Sequence, residues 1–185
     1  DSFLARRQAS YDALLQAMAS KPDVVFPEIR LGAEVAYRPN ISRLPDLEKL
    51  CMANSRYLLL ELPFSDWTNE MMREIQNISV ARGLIPVLAH LDRYMEHGNR
   101  QKIQEFFRMD LLVQVNAECF LSFSGRRTAR KLLRYGNIDL LGSDCHNLTS
   151  RKPNLAEGIR ALQKLSPQVL HHIKHFSAEL YDDFK

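Results

Sequence analysis

Five side chains that can bind a metal ion stand at or near the ends of short apolar segments of this 185-residue chain. Two of the segments read Leu-Gly-Ala-Glu-Val and Leu-Leu-Leu-Glu-Leu-Pro, a third ends Val-Leu-Ala-His, and the fourth, Ile-Asp-Leu-Leu-Gly-Ser, is followed by Asp-Cys-His. Carboxylates in such places are costly to bury unless they are paired or bound to a cation. Carboxylate and imidazole ligands together suit zinc, manganese or iron, and the spacing does not choose among them. The residues are Glu34, Glu61, His90, Asp144 and His146.

Each of these residues also has an ordinary structural explanation. Glu61 could pair with an arginine, Glu34 could be a solvated edge residue, and a lone His90 could be a hydrogen-bonded core histidine. Asp144 and His146 are more informative, because an Asp-x-His sequence at a strand end directs two ligands toward one point. The agreement of four strand ends therefore favours a shared site more than any one residue does.

The elements that would position these side chains alternate between strand and helix. Continuously apolar strands of this kind indicate a parallel sheet covered by helices, in which the carboxyl ends of the strands converge on the ligand site. The pattern predicts one α/β domain over residues 1–185, and it leaves a barrel and an open doubly wound sheet as alternatives. Strand or extended segments are predicted over 24–26 and 31–37, and strands over 56–62, 84–90, 111–116 and 138–142. Helices are predicted over 3–19, from a cap at Asp66 or Thr68 to 82, and over 100–107, 125–135, 155–165 and 167–175.

Composition excludes several other classes of protein. Apolar residues make up 45% and charged residues 25% of the chain, which is typical of a globular protein, and no apolar run reaches the length of a membrane span. The chain starts without the apolar stretch of a secretory signal, and Cys51, Cys119 and Cys145 form no CxxC pair, which favours a reducing, cytoplasmic location. The net charge is +3, and the basic residues at 126–134 are expected to form a solvated helix face, so nucleic acid is not the expected partner.

Several short motifs carry a resemblance to a known family. Residues 89–94 read A-H-L-D-R-Y and 142–147 read G-S-D-C-H-N, with Arg151 a few residues beyond. Residues 32–34 read G-A-E, 60–64 read L-E-L-P-F, and 114–117 read Q-V-N-A. In this order and spacing, from Gly32 to Arg151, the motifs resemble those of the capsule-type tyrosine phosphatases of the polymerase-and-histidinol-phosphatase (PHP) superfamily.

The resemblance implies a distorted (β/α)7 barrel with a cluster of divalent metals at the carboxyl ends of its strands. Glu34 would bridge metals, and Glu61, His90, Asp144 and His146 would complete the ligand set. His90 and Asp144 would also be catalytic residues, and Arg93 would bind the substrate phosphate, a role that suits its planar fork of donors.

This sequence departs from the family pattern at its beginning. The H-x-H strand and the T-P-H strand of the family do not occur, so we expect a barrel that lacks its first strands. Its site either gains the missing ligands from residues outside this sequence or is incomplete, weakly metal-binding and inactive in these 185 residues taken alone. Leu91 and Asp92 replace the proline and glutamate of the family motif. A further expectation is an exposed sheet edge near residues 24–37, covered by a partner or by helix 3–19.

The implied function is hydrolysis of phosphomonoesters, with phosphotyrosyl protein as substrate, in the control of capsule or exopolysaccharide synthesis. The expected partners are a phosphotyrosyl protein, such as a bacterial tyrosine kinase, and further copies of the chain. Two alternatives stay open: a PHP phosphatase that acts on a small ester such as histidinol phosphate or on nucleic acid ends, and a degenerate barrel that binds a partner without turnover.

Overall fold

A computed structural model describes residues 2–97, 99–109 and 111–183, and this part of the chain divides into two compact units. The first unit ends at Leu31 and contains helix α1, Ser2–Ala19, where the apolar spacing predicts it. The Tyr11 hydroxyl donates to the Ile29 carbonyl at 2.9 Å, which ties α1 to the segment that follows it. Of the two alternatives for 24–26, strand or extended segment, the strand is excluded: these residues form no strand, and Val25 is 98% exposed.

The second unit begins at Gly32 and contains all five strands of the described residues. Its strands are β1 Glu34–Ala36, β2 Tyr57–Glu61, β3 Ile85–Leu88, β4 Leu112–Asn116 and β5 Leu140–Gly142. Its helices are α2 Asn69–Arg82, α3 Arg100–Phe106, α4 Phe123–Leu132, α5 Leu155–Leu165 and α6 Pro167–Asp182, and short 3-10 helices lie at Ile41–Arg43, Leu47–Leu50, Met52–Asn54, Leu91–Glu96 and Ala117–Phe120.

All five strands are parallel, and their order in the sheet is their order in the sequence, β1-β2-β3-β4-β5. A doubly wound sheet reverses its strand order at a switch point, whereas the strands of a barrel follow one another. The sequential order therefore favours the barrel type, and it confirms the predicted α/β class with a parallel sheet. Within the described residues β1 is an edge strand, as expected for the region that precedes Tyr37.

The two faces of the sheet differ in burial. On β2 and β4 the residues Leu58, Leu60, Val113 and Val115 are buried, and they belong to the same apolar core as Ile75 and Ile78 of α2. The residues between them are half-buried and line a cavity of about 300 Å³ on the opposite face, together with residues of β1, β3 and β5. In a barrel this second face is the interior, where ligands bind near the carboxyl ends of the strands.

Helix α2 begins and ends at the predicted capping signals. The Thr68 side chain accepts a hydrogen bond from the Met71 amide at 3.1 Å, and Gly83 ends α2 with a left-handed φ of 64°. Helix α4 begins at Phe123 instead of Gly125, because the Ser122 hydroxyl caps it by accepting from the Gly125 amide. None of the described helices is long and apolar enough to cross a membrane.

A close approach of α5 to the end of β4 gives a testable prediction. A Cβ added to Gly158 would stand 2.5 Å from Ala117 Cβ and 2.9 Å from the backbone of Ala117. Gly158→Ala should therefore lower the free energy of unfolding by about 1–3 kcal/mol, although alanine is the better helix former. Denaturant unfolding measures it, with the exposed Gln163→Ala in the same helix as a neutral control. A stabilised Gly158→Ala variant would contradict this packing.

Candidate metal and phosphate site

The backbone at the end of β3 places His90 over the carboxyl ends of the neighbouring strands. His90 adopts a left-handed φ of 34°, which turns the chain from β3 into the 3-10 helix Leu91–Glu96. Such a conformation costs a non-glycine residue about 1–3 kcal/mol and persists only where the surroundings hold it. The His90 amide donates to the Gln114 side-chain oxygen at 2.5 Å, and the imidazole is only 3% exposed.

Two carboxylates meet the imidazole of His90 at one nitrogen. The Nε2 atom lies 3.0 Å from Glu34 Oε1 and 3.3 Å from Glu61 Oε1. The parallel register sets Ala36 opposite Glu61 and Glu34 opposite Leu59, so both carboxylates project from the same face of the sheet. The other ring nitrogen, Nδ1, is buried and has no hydrogen-bond partner among the described residues.

The ligand atoms of these three side chains fit a divalent cation. One atom from each of Glu34, Glu61 and His90 lies within 4.8 Å of the others. Without a cation, two adjacent carboxylates repel each other, and a cation would remove that repulsion. Two carboxylate oxygens and one imidazole nitrogen suit zinc, manganese or iron, and the structure does not choose among these metals. We call Glu34, Glu61 and His90 the ligand cluster.

Asp144 lies in a second group, where two arginines contact it. Its Oδ2 atom accepts hydrogen bonds from Asn116 Nδ2 at 3.1 Å, from Arg93 Nη1 at 3.5 Å and from Arg151 Nη2. Its backbone has a left-handed φ of 50°. His146 stands beside it with Nδ1 3.0 Å from the Asp144 carbonyl oxygen, and its side chain is 52% exposed. We call Asp144, Asn116, Arg93 and Arg151 the arginine cluster.

The two clusters border the same cavity. Glu34 and His90 line it from one side and Asn116 and Asp144 from the other, above the apolar residues of the inner sheet face. The expected residues Glu34, Glu61 and His90 come together, and Asp144 shares their cavity. His146 lies next to Asp144 but outside the group of three ligand atoms. The assignment of all five residues to one metal cluster stays a prediction.

Two further polar residues, Asp92 and Gln114, connect the clusters, and neither was predicted as a site residue. The Asp92 carboxylate accepts from the Asn116 amide at 2.9 Å, and burial raises the pKa of Asp92 to about 6. Gln114 accepts from the His90 amide and donates to Asn116 Oδ1 at 3.1 Å. The available signal was the polar Gln-Val-Asn sequence in an otherwise apolar strand.

The cysteines take no part in either cluster. Burial raises the pKa of Cys51 to about 11 and that of Cys119 to about 12, so both thiols stay protonated and unreactive at neutral pH. Cys145 is exposed, and its thiol points to the Asn147 carbonyl at 3.6 Å.

Comparison with known proteins identifies the family. Residues 5–175 match the family described as "Capsular polysaccharide synthesis, CpsB/CapC", and the chain belongs to this family. The tyrosine-protein phosphatase CpsB of Streptococcus pneumoniae is 28% identical over 148 residues, which are 74% of this chain and 60% of the relative. The same enzyme of Streptococcus agalactiae serotype III is 25% identical over 145 residues, which are 73% of this chain and 59% of the relative.

A solved structure supports the fold. The matching chain belongs to the work titled "Crystal structures of YwqE from Bacillus subtilis and CpsB from Streptococcus pneumoniae, unique metal-dependent tyrosine phosphatases". The TM-score is 0.76 at 19% identity, over 91% of this chain and 69% of that one. This match confirms the PHP-type fold that the motifs predict. The chain spans about six tenths of the length of the curated relatives that it matches.

The residue that fixes the end of β2 next to the ligand cluster is Tyr94, and it gives a prediction. Its buried hydroxyl donates to the Leu62 carbonyl at 2.7 Å and accepts from the Leu62 amide at 3.0 Å. Tyr94→Phe leaves both backbone groups unpaired and should lower the free energy of unfolding by about 1–3 kcal/mol. Urea unfolding measures the loss, and Tyr135→Phe serves as the control that should change little. Equal stabilities of the two variants would contradict the assigned role of the hydroxyl.

Proposed function

We propose that this chain carries the metal- and phosphate-binding part of a metal-dependent protein-tyrosine phosphatase that acts in the control of capsular polysaccharide synthesis. The observation that carries the proposal is a cavity that Glu34 and His90 of the ligand cluster line together with Asp144, whose carboxylate contacts the guanidinium groups of Arg93 and Arg151. Membership of the CpsB/CapC family and the phosphatase activity named for the relatives support the reaction class.

The ligand cluster has the role of holding the cation. Glu34, Glu61 and His90 would bind it, and Asp144 and His146 would add ligands as the family resemblance implies. A bound divalent cation lowers the pKa of water and stabilises negative charge on phosphoryl oxygens. His90 is the most constrained of these residues, because its side chain is buried and its backbone amide is bound to the Gln114 side chain.

The arginine cluster has the role of binding the phosphate. Arg93 and Arg151 present planar donors that match phosphate oxygens, and their side chains are each 39% exposed, so a ligand can reach them. In the described structure the Asp144 carboxylate occupies these donors. When a phosphate takes its place, the guanidinium groups neutralise the charge that develops on the phosphoryl oxygens as the bond to the leaving oxygen breaks. Asp144 is then able to accept a proton or to bind the cation.

The finer parts of the proposal concern the setting of the reaction. The substrate is a phosphotyrosyl protein, for which a bacterial tyrosine kinase is the expected class, and the location is the cytoplasm. Self-association is also part of the proposal, since β1 is an edge strand within the described residues and an edge strand can pair with a second chain. Manganese, zinc and iron remain equal candidates for the cation.

One observation favours a second function. Asp144 contacts two arginines and lies outside the group of three ligand atoms, which fits a domain that binds a phosphorylated partner without turnover. Binding of a phosphotyrosyl peptide by the metal-loaded protein without release of phosphate would select this function. Turnover of small sugar or amino-alcohol phosphates alone would instead select a phosphatase of another substrate class.

Metal dependence gives the direct test of the ligand cluster. Glu61→Gln removes one negative charge from the cluster with little change in volume, and we expect it to weaken Mn²⁺ or Zn²⁺ binding by at least about tenfold. Calorimetric titration measures the affinity, and Glu105→Gln on α3 is the matched control. A chelator should abolish release of phosphate from a phosphotyrosyl peptide. Unchanged affinity of Glu61→Gln, or turnover that survives the chelator, would refute the metal site.

Loss of one arginine tests the phosphate-binding role. Arg151→Ala removes charge-assisted hydrogen bonds of about 1.5–3 kcal/mol, so kcat/KM for a phosphotyrosyl peptide should fall by about 10- to 150-fold. Metal affinity should stay close to that of the unsubstituted protein. Arg127→Ala, on an exposed part of α4, is the control and should leave kcat/KM unchanged. A fall in metal affinity as large as the fall in kcat/KM would show that Arg151 serves the ligand cluster instead.

A further inference from the structure

Phe64 is an aromatic residue that lies next to the proposed site and yet remains exposed. It follows β2 by three residues, and 46% of its surface is accessible. Its ring is parallel to the His90 imidazole within 7°, with centroids 6.3 Å apart, and it contacts the Tyr94 ring at 4.9 Å. A large apolar side chain is thus held firmly on one side and presented to solvent on the other.

The same ring contacts the proposed phosphate-binding arginine. The Arg93 guanidinium carbon lies 5.2 Å from the centroid of Phe64, within the range of a cation–π interaction. His97 borders the ring at 5.4 Å in an edge-to-face arrangement. Because Arg93 also reaches Asp144, the ring has a fixed position relative to the place where a phosphate would bind.

We propose that Phe64 makes the site selective for aryl phosphate esters over alkyl phosphate esters, an inference that rests on the proposed function. In an aryl ester a single oxygen separates the phosphorus from the ring, so a phosphate on Arg93 brings the substrate ring beside Phe64. Aromatic pairs contribute beyond the area that they bury, whereas an alkyl chain has no ring to pair. The gain corresponds to a preference of about three- to tenfold for the aryl ester.

Binding of two phosphonates to the Mn²⁺-loaded protein tests this selectivity without requiring turnover. Benzylphosphonate carries a ring at the spacing of a phenyl phosphate, and propylphosphonate carries only an alkyl chain. We expect benzylphosphonate to bind about three- to tenfold more tightly, Phe64→Leu to abolish the difference and Phe64→Tyr to keep it. Phe123→Leu, at a residue that is 77% exposed outside the site, is the matched control and should keep the difference.

Turnover of two peptides of one sequence, carrying phosphotyrosine or phosphoserine, gives the second measurement. Phe64→Leu should raise KM for the phosphotyrosyl peptide and leave that for the phosphoseryl peptide unchanged. Retention of the aryl preference in Phe64→Leu, or an equal loss for both phosphonates, would overturn the inference and leave the proposed function intact. If neither phosphonate binds and neither peptide is hydrolysed, the proposed function fails and the inference fails with it.

Discussion

The contact between the buried imidazole of His90 and two carboxylates is the interaction on which the rest of the site depends. It requires a left-handed backbone at His90, a bond from its amide to Gln114, and a register that puts Glu34 and Glu61 on one face of the sheet. None of these conditions is local to one strand. The ligand cluster therefore exists only in the folded sheet. Bringing two carboxylates together is unfavourable in free energy, and the packing of the opposite, apolar face offsets it.

Polar residues of β4 connect the ligand cluster to the arginine cluster through hydrogen bonds. Gln114 contacts both the His90 amide and Asn116, and the Asn116 side chain donates to Asp144. Asp92 completes the connection, because it follows His90 by two residues and accepts from the Asn116 backbone. A displacement at either cluster thus reaches the other through hydrogen bonds within a partly buried region, where such bonds are difficult to replace with water.

The sequence predicts the parts of this structure that depend on neighbouring residues. Apolar runs locate β2, β3 and β4, and the cap at Thr68 and the stop at Gly83 bound α2, because each signal acts within a few residues. The sequence left residues 24–26 as strand or extended segment, and they form no strand, because β-branched residues form a strand only where a partner strand exists. The positions of Glu34, Glu61 and His90 at or near strand ends predict that they come together in the ligand cluster. The contact of Arg151 with Asp144 follows from a loop conformation, and the network of Gln114 and Asp92 follows from strand pairing, so neither was visible in residue spacing.

The two clusters that border the cavity carry opposite net charges. Two carboxylates without a cation make the ligand cluster a site of negative potential, while two guanidinium groups against the single carboxylate of Asp144 leave one positive charge in excess. Apart, each cluster would attract only a simple counter-ion. Under the proposed function the two clusters would suit a cation and a phosphate ester bound together, because a cation would neutralise the carboxylates and a phosphate would compete with Asp144 for the arginines. Asp144 borders the cavity that Glu34 and His90 also line, so a carboxylate released from the arginines would stand where it could join the metal ligands.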